Sequence, residues 1–325
     1  MSLLVNGTMQ PDWFEKENED GTFKRMESTF RNWVTTDGSA GPTGDAGFKA
    51  EPGRYHLYVS YACPWAHRTL IFRQLKKLQD IITVSIVDPR MGDNGWSFGK
   101  FPGATEDHAG GAEYLYENYL KAQDNFTGVV TVPVLWDKQQ NTIVNNESSE
   151  IIRMLNYAFN EWAETSIDFY PESLRDEINE INEQVYHGIN NGVYQCGFAT
   201  SQQAYESAFD NLFATLDDIE TRLKSQRYLV GGQITEADWR LFVTLLRFDT
   251  VYYNLFKCNK QRIEDYPALS NYRRELYQWP GIAETINMEH IKTHYYYSLI
   301  QLNPGRIVPK GPVIDYLLPH NRDQI

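Results

Sequence analysis

The chain has 325 residues, with 30 basic and 43 acidic side chains and a formal net charge of −13. That length fits about two domains, each able to bury a core, and 42% hydrophobic with 22% charged residues excludes a disordered chain. The acidic balance argues against nucleic acid, whose phosphates need a basic surface, but leaves room for a small anion held by backbone dipoles.

Residues 1–54 are rich in Gly, Pro, Asp and Thr, with scattered aromatics at Trp13, Phe14, Phe30, Trp33 and Phe48. The run TTDGSAGPTGDAGF resists regular structure, so this segment reads as an extended arm pinned by its aromatics. HLYVSY (56–61) is a short β-prone run that meets Cys63-Pro64. A helix follows, with Ala66, Leu70, Ile71, Leu75 and Leu78 marking one face. ITVSIVDP (82–89) is a second strand, and strand–helix–strand at this spacing is a βαβ unit with two parallel strands. After a Gly-rich loop over 90–110, a helix is expected over Glu113–Gln123.

VVTVPVLWD (129–137) and NTIVNN (141–146) look like a hairpin, followed by a helix over SSEIIRMLNYAF with Ile151, Ile152, Leu155 and Phe159 facing inward. This order, βαβ then ββα, is that of a thioredoxin-like layer over residues 55–160. From about 170 to 300 only helical spacing of apolar residues appears, with a capping-box start at Thr235 and Asp238. The fold class is therefore α/β plus all-α. The Pro- and Gly-rich tail, 301–325, is expected to wrap back over the body.

Three cysteines, Cys63, Cys196 and Cys258, form no disulfide framework and no zinc spacing. His290 and His294 are four apart, but no third ligand accompanies them, so no metal is expected. No basic-then-apolar leader and no run of about 18 apolar residues occurs. A reduced cytoplasm without membrane contact is the expected setting, where cysteine chemistry is catalytic rather than structural.

Cys63 ends the first strand and precedes Pro64, which suits the first turn of a helix. As N-cap its sulfur faces the free N–H groups and the positive end of the dipole, both favouring the nucleophilic thiolate. Position 66 is Ala, so no dithiol cycle is available, and an external thiol must complete the chemistry; glutathione is the abundant choice. A small buried residue at a tight corner is the competing account. For Cys196 and Cys258, in helical territory without a cap, packing is the simpler one.

Val132-Pro133 stands at a strand entrance, where backbone is free to pair with an extended peptide; sequence leaves the isomer of that bond open. Glu147-Ser148-Ser149 precedes a helix. Ser148 or Ser149 caps it, the first-turn N–H groups suit a carboxylate, and Glu147 suits an ammonium. Ammonium and carboxylate on one carbon form the γ-glutamyl end of glutathione. An edge proline and an ordinary capped helix are the plain alternatives for these two segments.

CPWAHR (63–68), TVPVLWD (131–137), NES (146–148), NNGVYQCGFA (190–199), TEADWRL (235–241) and HYYYSLIQLNP (294–304) together resemble the glutathionyl-hydroquinone reductases. These are the Xi class of glutathione transferases, relatives of the Omega class. The resemblance spans nearly the whole chain. It implies a homodimer of thioredoxin-like and all-helical domains that removes glutathione from S-glutathionylated hydroquinones. Glutathione is then a co-substrate, with no bound cofactor and no nucleic-acid partner.

By resemblance Cys63 is the nucleophile. Trp96, Val132, Pro133, Glu147 and Ser148 match the glutathione site, and Tyr194, Tyr252 and Tyr295 match active-site tyrosines. Many members carry Arg soon after the matching tryptophan; here the nearby cation is Lys100. An Omega-type thioltransferase or dehydroascorbate reductase, or a non-enzymatic ligand-binding protein on the same fold, are the competing functions.

Overall fold

The computed structural model describes residues 2–10 and 19–325. Trp13 and Phe14 of the expected arm lie outside the described residues. The chain divides into two compact units, and neither is continuous in sequence. The first takes the residues up to Gln10, Met26–Ile167 and Thr285–Ser298; the second takes residues 19–25, Asp168–Glu284 and Leu299–Ile325.

Two sheets build the first unit. Strands β1 (Ser2–Val5) and β2 (Thr8–Gln10) form an antiparallel pair, which the sequence did not announce within the arm. Strand β3 (Tyr55–Val59) leads into helix α1 (Pro64–Leu75), and β4 (Thr83–Ile86) returns parallel to β3. Helix α2 (Leu115–Ala122) follows the long loop.

The segment 129–137, expected to be one strand, is two. Strand β5 (Gly128–Val130) pairs with β1, while β6 (Val134–Asp137) pairs with β3 and with β7 (Thr142–Asn145). Pro133, with no N–H to give a ladder, stands at the break, and the Val132–Pro133 bond is cis. The sheets run β2-β1-β5 and β4-β3-β6-β7. Helix α3 (Ser148–Tyr157) packs on α1, burying Ile151, Ile152 and Leu155, with Phe159 just beyond it.

The arm's aromatics hold it to this unit. Phe30 stacks on Phe126 at 5.4 Å and meets Tyr119 edge-on at 5.8 Å, and Phe48 is buried.

The second unit is helical among its described residues: α4 (Arg175–Val185), α5 (Gly192–Gly197), α6 (Gln202–Leu223), α7 (Glu236–Arg247), α8 (Tyr253–Leu255) and α9 (Pro267–Gln278). Thr235 and Asp238 form the capping box of α7. Helix α10 (Met288–Thr293) belongs to the first unit. Wide π-type turns occur at Tyr186–Asn190, Phe248–Tyr252 and His294–Ser298, carrying a tyrosine each or several. The tail closes on the second unit: buried Arg322 donates to the carbonyl of Leu223, the last residue of α6, and to those of Gln226 and Arg227 just beyond it.

Candidate active site

Cys63 is the N-cap of α1, in extended conformation at φ −74° and ψ 122°, with Pro64 in the first turn. Its half-buried sulfur accepts the Ala66 N–H at 3.5 Å and lies 3.4 Å from the Val132 carbonyl, to which the thiol donates. The end of β3 delivers the cysteine, and the break before Pro133 delivers the carbonyl. A sulfur at this cap meets peptide N–H groups and the positive end of the helix dipole, which stabilise its anion.

Glu147, rather than Ser148 or Ser149, caps α3. Its carboxylate accepts the Ser149 N–H at 3.0 Å and the Ser149 hydroxyl at 2.9 Å. A carboxylate outcompetes a hydroxyl for these donors because the bond is charge-assisted. Its other oxygen accepts the Ser28 hydroxyl of the arm at 3.0 Å. Burial pushes the Glu147 carboxyl up, but the Ser149 donors, the Arg68 charge and Ser28 outweigh it and hold the group below its ordinary value.

Ser148 is buried as the first residue of α3 and takes a bond from the Arg68 guanidinium at 3.4 Å. Arg68 is itself buried and covers the Trp65 ring at 4.5 Å. Neither Ser28 nor Arg68 stood out as a site residue in the sequence. An Arg five residues after Cys63, on the first turns of its helix, was the available signal. His67, its neighbour, bonds the Thr285 hydroxyl at 2.8 Å and so ties the last segment of this unit to α1.

Trp96 is buried in the loop before α2 and stacks on the His294 ring at 4.7 Å. His294 in turn contacts the Pro89 carbonyl at 3.0 Å and meets Tyr295 edge-on at 5.4 Å. His290 donates from Nε2 to the Pro102 carbonyl, 2.8 Å away. The two histidines thus fasten the loop to α10 and to the π-turn that follows it. Tyr295 and Tyr296 are both buried. Lys100 is exposed, 3.8 Å from Glu113.

The first unit therefore holds Cys63, Trp96, Val132, Pro133, Glu147, Ser148 and Tyr295, and joins Cys63 directly to Val132. Tyr194 and Tyr252 belong to the second unit, with their rings 6.0 Å apart. Tyr194, on α5, is half-buried; Tyr252 is fully buried behind it among Phe248 and Phe256.

Cys258 and Cys196 are buried, and burial raises the Cys258 thiol, as does its contact with Cys196. Among the described residues no helix is long and apolar enough to cross a membrane.

Comparison with known proteins gives two family matches: "Glutathione S-transferase, N-terminal domain" over residues 62–158 and "Glutathione S-transferase, C-terminal domain" over residues 202–275. The chain is 52% identical to glutathionyl-hydroquinone reductase YqjG of Escherichia coli, covering 99% of each. It is 49% identical to glutathionyl-hydroquinone reductase PcpF of Sphingobium chlorophenolicum, covering 96% of each. The glutathione-bound structure of YqjG superposes with a TM-score of 0.91, at 51% identity over 99% of each chain. A Xi-class transferase from Natrialba magadii does so at 0.93, with 48% identity over 100% of this chain and 98% of that one.

Proposed function

The chain belongs to the Xi class of the glutathione S-transferase family, and from that membership we propose that it reduces S-glutathionyl-hydroquinones with glutathione, through Cys63. The observation that carries the reading is the Cys63 sulfur at the start of α1, held between the Ala66 N–H and the Val132 carbonyl. Residues 55–160 are read as the glutathione-binding domain.

The Val132 carbonyl is the acceptor that an extended tripeptide would take as an added strand. Loss of the Cys63 proton releases that carbonyl, so thiolate formation and ligand pairing favour each other. Glu147 lies at the start of α3 to meet the γ-glutamyl ammonium, and Ser148 with the first-turn N–H groups to meet its carboxylate. Arg68 holds both in place. Trp96, clamped by His294, is read as a wall of the same site.

The thiolate attacks the glutathionyl sulfur of the adduct. An S–S bond forms, the carbon–sulfur bond breaks, and its electron pair passes to the aromatic ring. The ring carbon then takes a proton, and the tyrosine hydroxyls suit that delivery and the stabilisation of the ring's oxygens. Glutathione next attacks the mixed disulfide as its thiolate, giving GSSG and the free Cys63 thiolate. The ring gains the two electrons that the two sulfurs lose. Tyr194 and Tyr295 are read as the phenols that meet the substrate, with Tyr252 packed behind Tyr194. Cytoplasmic location and a homodimer complete the proposal; light scattering of the purified chain tests the latter.

The decisive experiment incubates the protein with glutathionyl-menadione and glutathione and follows GSSG and free menadiol. Cys63→Ser is expected to lower kcat at least about a thousandfold, as loss of a nucleophile does. Retention of most activity removes Cys63 from the role. Faster turnover of hydroxyethyl disulfide than of the adduct would transfer the assignment to an Omega-type thioltransferase. Tight binding of the adduct without GSSG formation would make the chain a binding protein.

A further inference from the structure

Residues 19–25 form a strap along α5 within the second unit. Gly21 sits at φ +81°, and a Cβ there would lie 2.8 Å from the Ser201 nitrogen, so only glycine permits the approach. Its carbonyl takes the Thr200 N–H at 3.1 Å, and the Asp20 carbonyl takes the Ser201 hydroxyl at 2.8 Å. Phe23 is buried against Phe198 at 5.5 Å and Tyr194 at 6.4 Å. The strap then places Arg25 with its guanidinium 4.6 Å from the centre of the Tyr194 ring. Its Nε donates to Asn191 Oδ1 at 3.1 Å, and Asn191 is buried just ahead of α5.

Hydrocarbon already surrounds that ring. Phe198 stacks parallel to it, and Phe256 meets it at 5.5 Å. Gly197 lets the Phe256 ring lie on the helix, since a Cβ would come within 2.4 Å of it. Packing of Tyr194 is thus supplied by phenylalanines, Phe23 of the strap among them, and what Arg25 adds is a charge. A guanidinium suits this place because it is flat, weakly hydrated and attracted to a π face. A cation on the face draws electron density from the phenol and makes its O–H a better donor.

We infer that Arg25 is a positioning residue for Tyr194, fixing the plane of its ring and polarising its hydroxyl toward the aromatic substrate. The inference rests on the reading of Tyr194 as a substrate-facing phenol, and its test separates the two. Arg25→Met keeps bulk without charge, and Arg25→Lys keeps charge without the flat fork.

Arg25→Met is expected to lower kcat about tenfold with KM for glutathionyl-menadione changed less than about twofold, and Arg25→Lys to restore most of the loss. In a Tyr194→Phe background, which has no hydroxyl to polarise, Arg25→Met should change kcat less than about twofold. In protein labelled with ¹³C-tyrosine, the resonance that disappears in Tyr194→Phe should move in Arg25→Met while the thermal midpoint holds. Equal losses in Met and Lys variants, multiplying losses in the double variant, or an unmoved Tyr194 resonance would each overturn the inference. Should the wild type release no hydroquinone from any adduct, the proposed function fails, and the resonance still decides the role of Arg25.

Discussion

Glu147, two residues past the end of β7, caps α3 and receives a hydroxyl from the arm, both through one carboxylate. Replacing it with Gln keeps an acceptor for the Ser149 N–H but removes the charge beside Arg68. Weaker glutathione recognition is expected, with KM for glutathione raised on the order of tenfold and stability lowered by about 1 kcal/mol. Initial rates over a glutathione series and a urea midpoint check the two effects separately. Because its carboxyl titrates below the usual range, its stabilisation is present above the unfolded value and vanishes as pH falls through the folded one.

Within the run of three tyrosines, Tyr295→Phe should lower kcat by about a hundredfold, as removal of a proton donor does. Loss at Tyr296→Phe instead would shift the assignment by one residue. The cysteine cap was legible because Cys-Pro at a strand end has one helical use. The second cap was misread because serine and glutamate stood together, and adjacent letters do not say which reaches the helix start first.

Strands β3 and β4 set His56 opposite Thr83, and the ring bonds the Thr83 hydroxyl at 2.7 Å and the Ser85 hydroxyl at 2.9 Å. Burial drives the imidazole down to about 3, so it stays neutral in the fold. An unfolded histidine protonates near 6.5. The pairing of these strands is therefore fully stabilised above that value and weakens as pH falls toward the folded one. Each pH unit in between costs about 1.4 kcal/mol. Unfolding free energies from urea titrations should hold from pH 7.5 to about 6.5 and then fall toward pH 5 with that slope in the wild type, and more shallowly in His56→Gln; parallel lines would exonerate His56.

Helices and the parallel pair could be read from periodicity. The split of 129–137 could not, because β5 finds its partner in β1, more than a hundred positions earlier, and local alternation carries no trace of that pairing. The π-turns were equally hidden, since their apolar spacing continues that of the helices before them.

Across the whole molecule, chain order and compact unit part company. The tail supplies Arg322, fully buried, to the Leu223 carbonyl that α6 leaves unpaired at its end and to the Gln226 and Arg227 carbonyls just beyond, and Gln278 donates to the Tyr316 carbonyl at 2.8 Å. Arg322→Ala would strand those carbonyls in the interior and is expected to cost about 3 kcal/mol. Amide exchange at the last turn of α6 should accelerate with it, and unchanged exchange there would show that the tail is not its cap.

The first unit in turn depends on Thr285–Ser298, bound to its earlier residues through His67, Pro102 and Pro89. On the ribosome this imposes a wait. After Ile167 the ribosome must add 131 residues to complete Ser298, roughly 7 to 26 s of synthesis at 5–20 residues per second. Throughout that interval the nascent first unit lacks its closing piece, so a translation pause placed in the helical stretch would lengthen the exposure of this unfinished unit to chaperones and proteases.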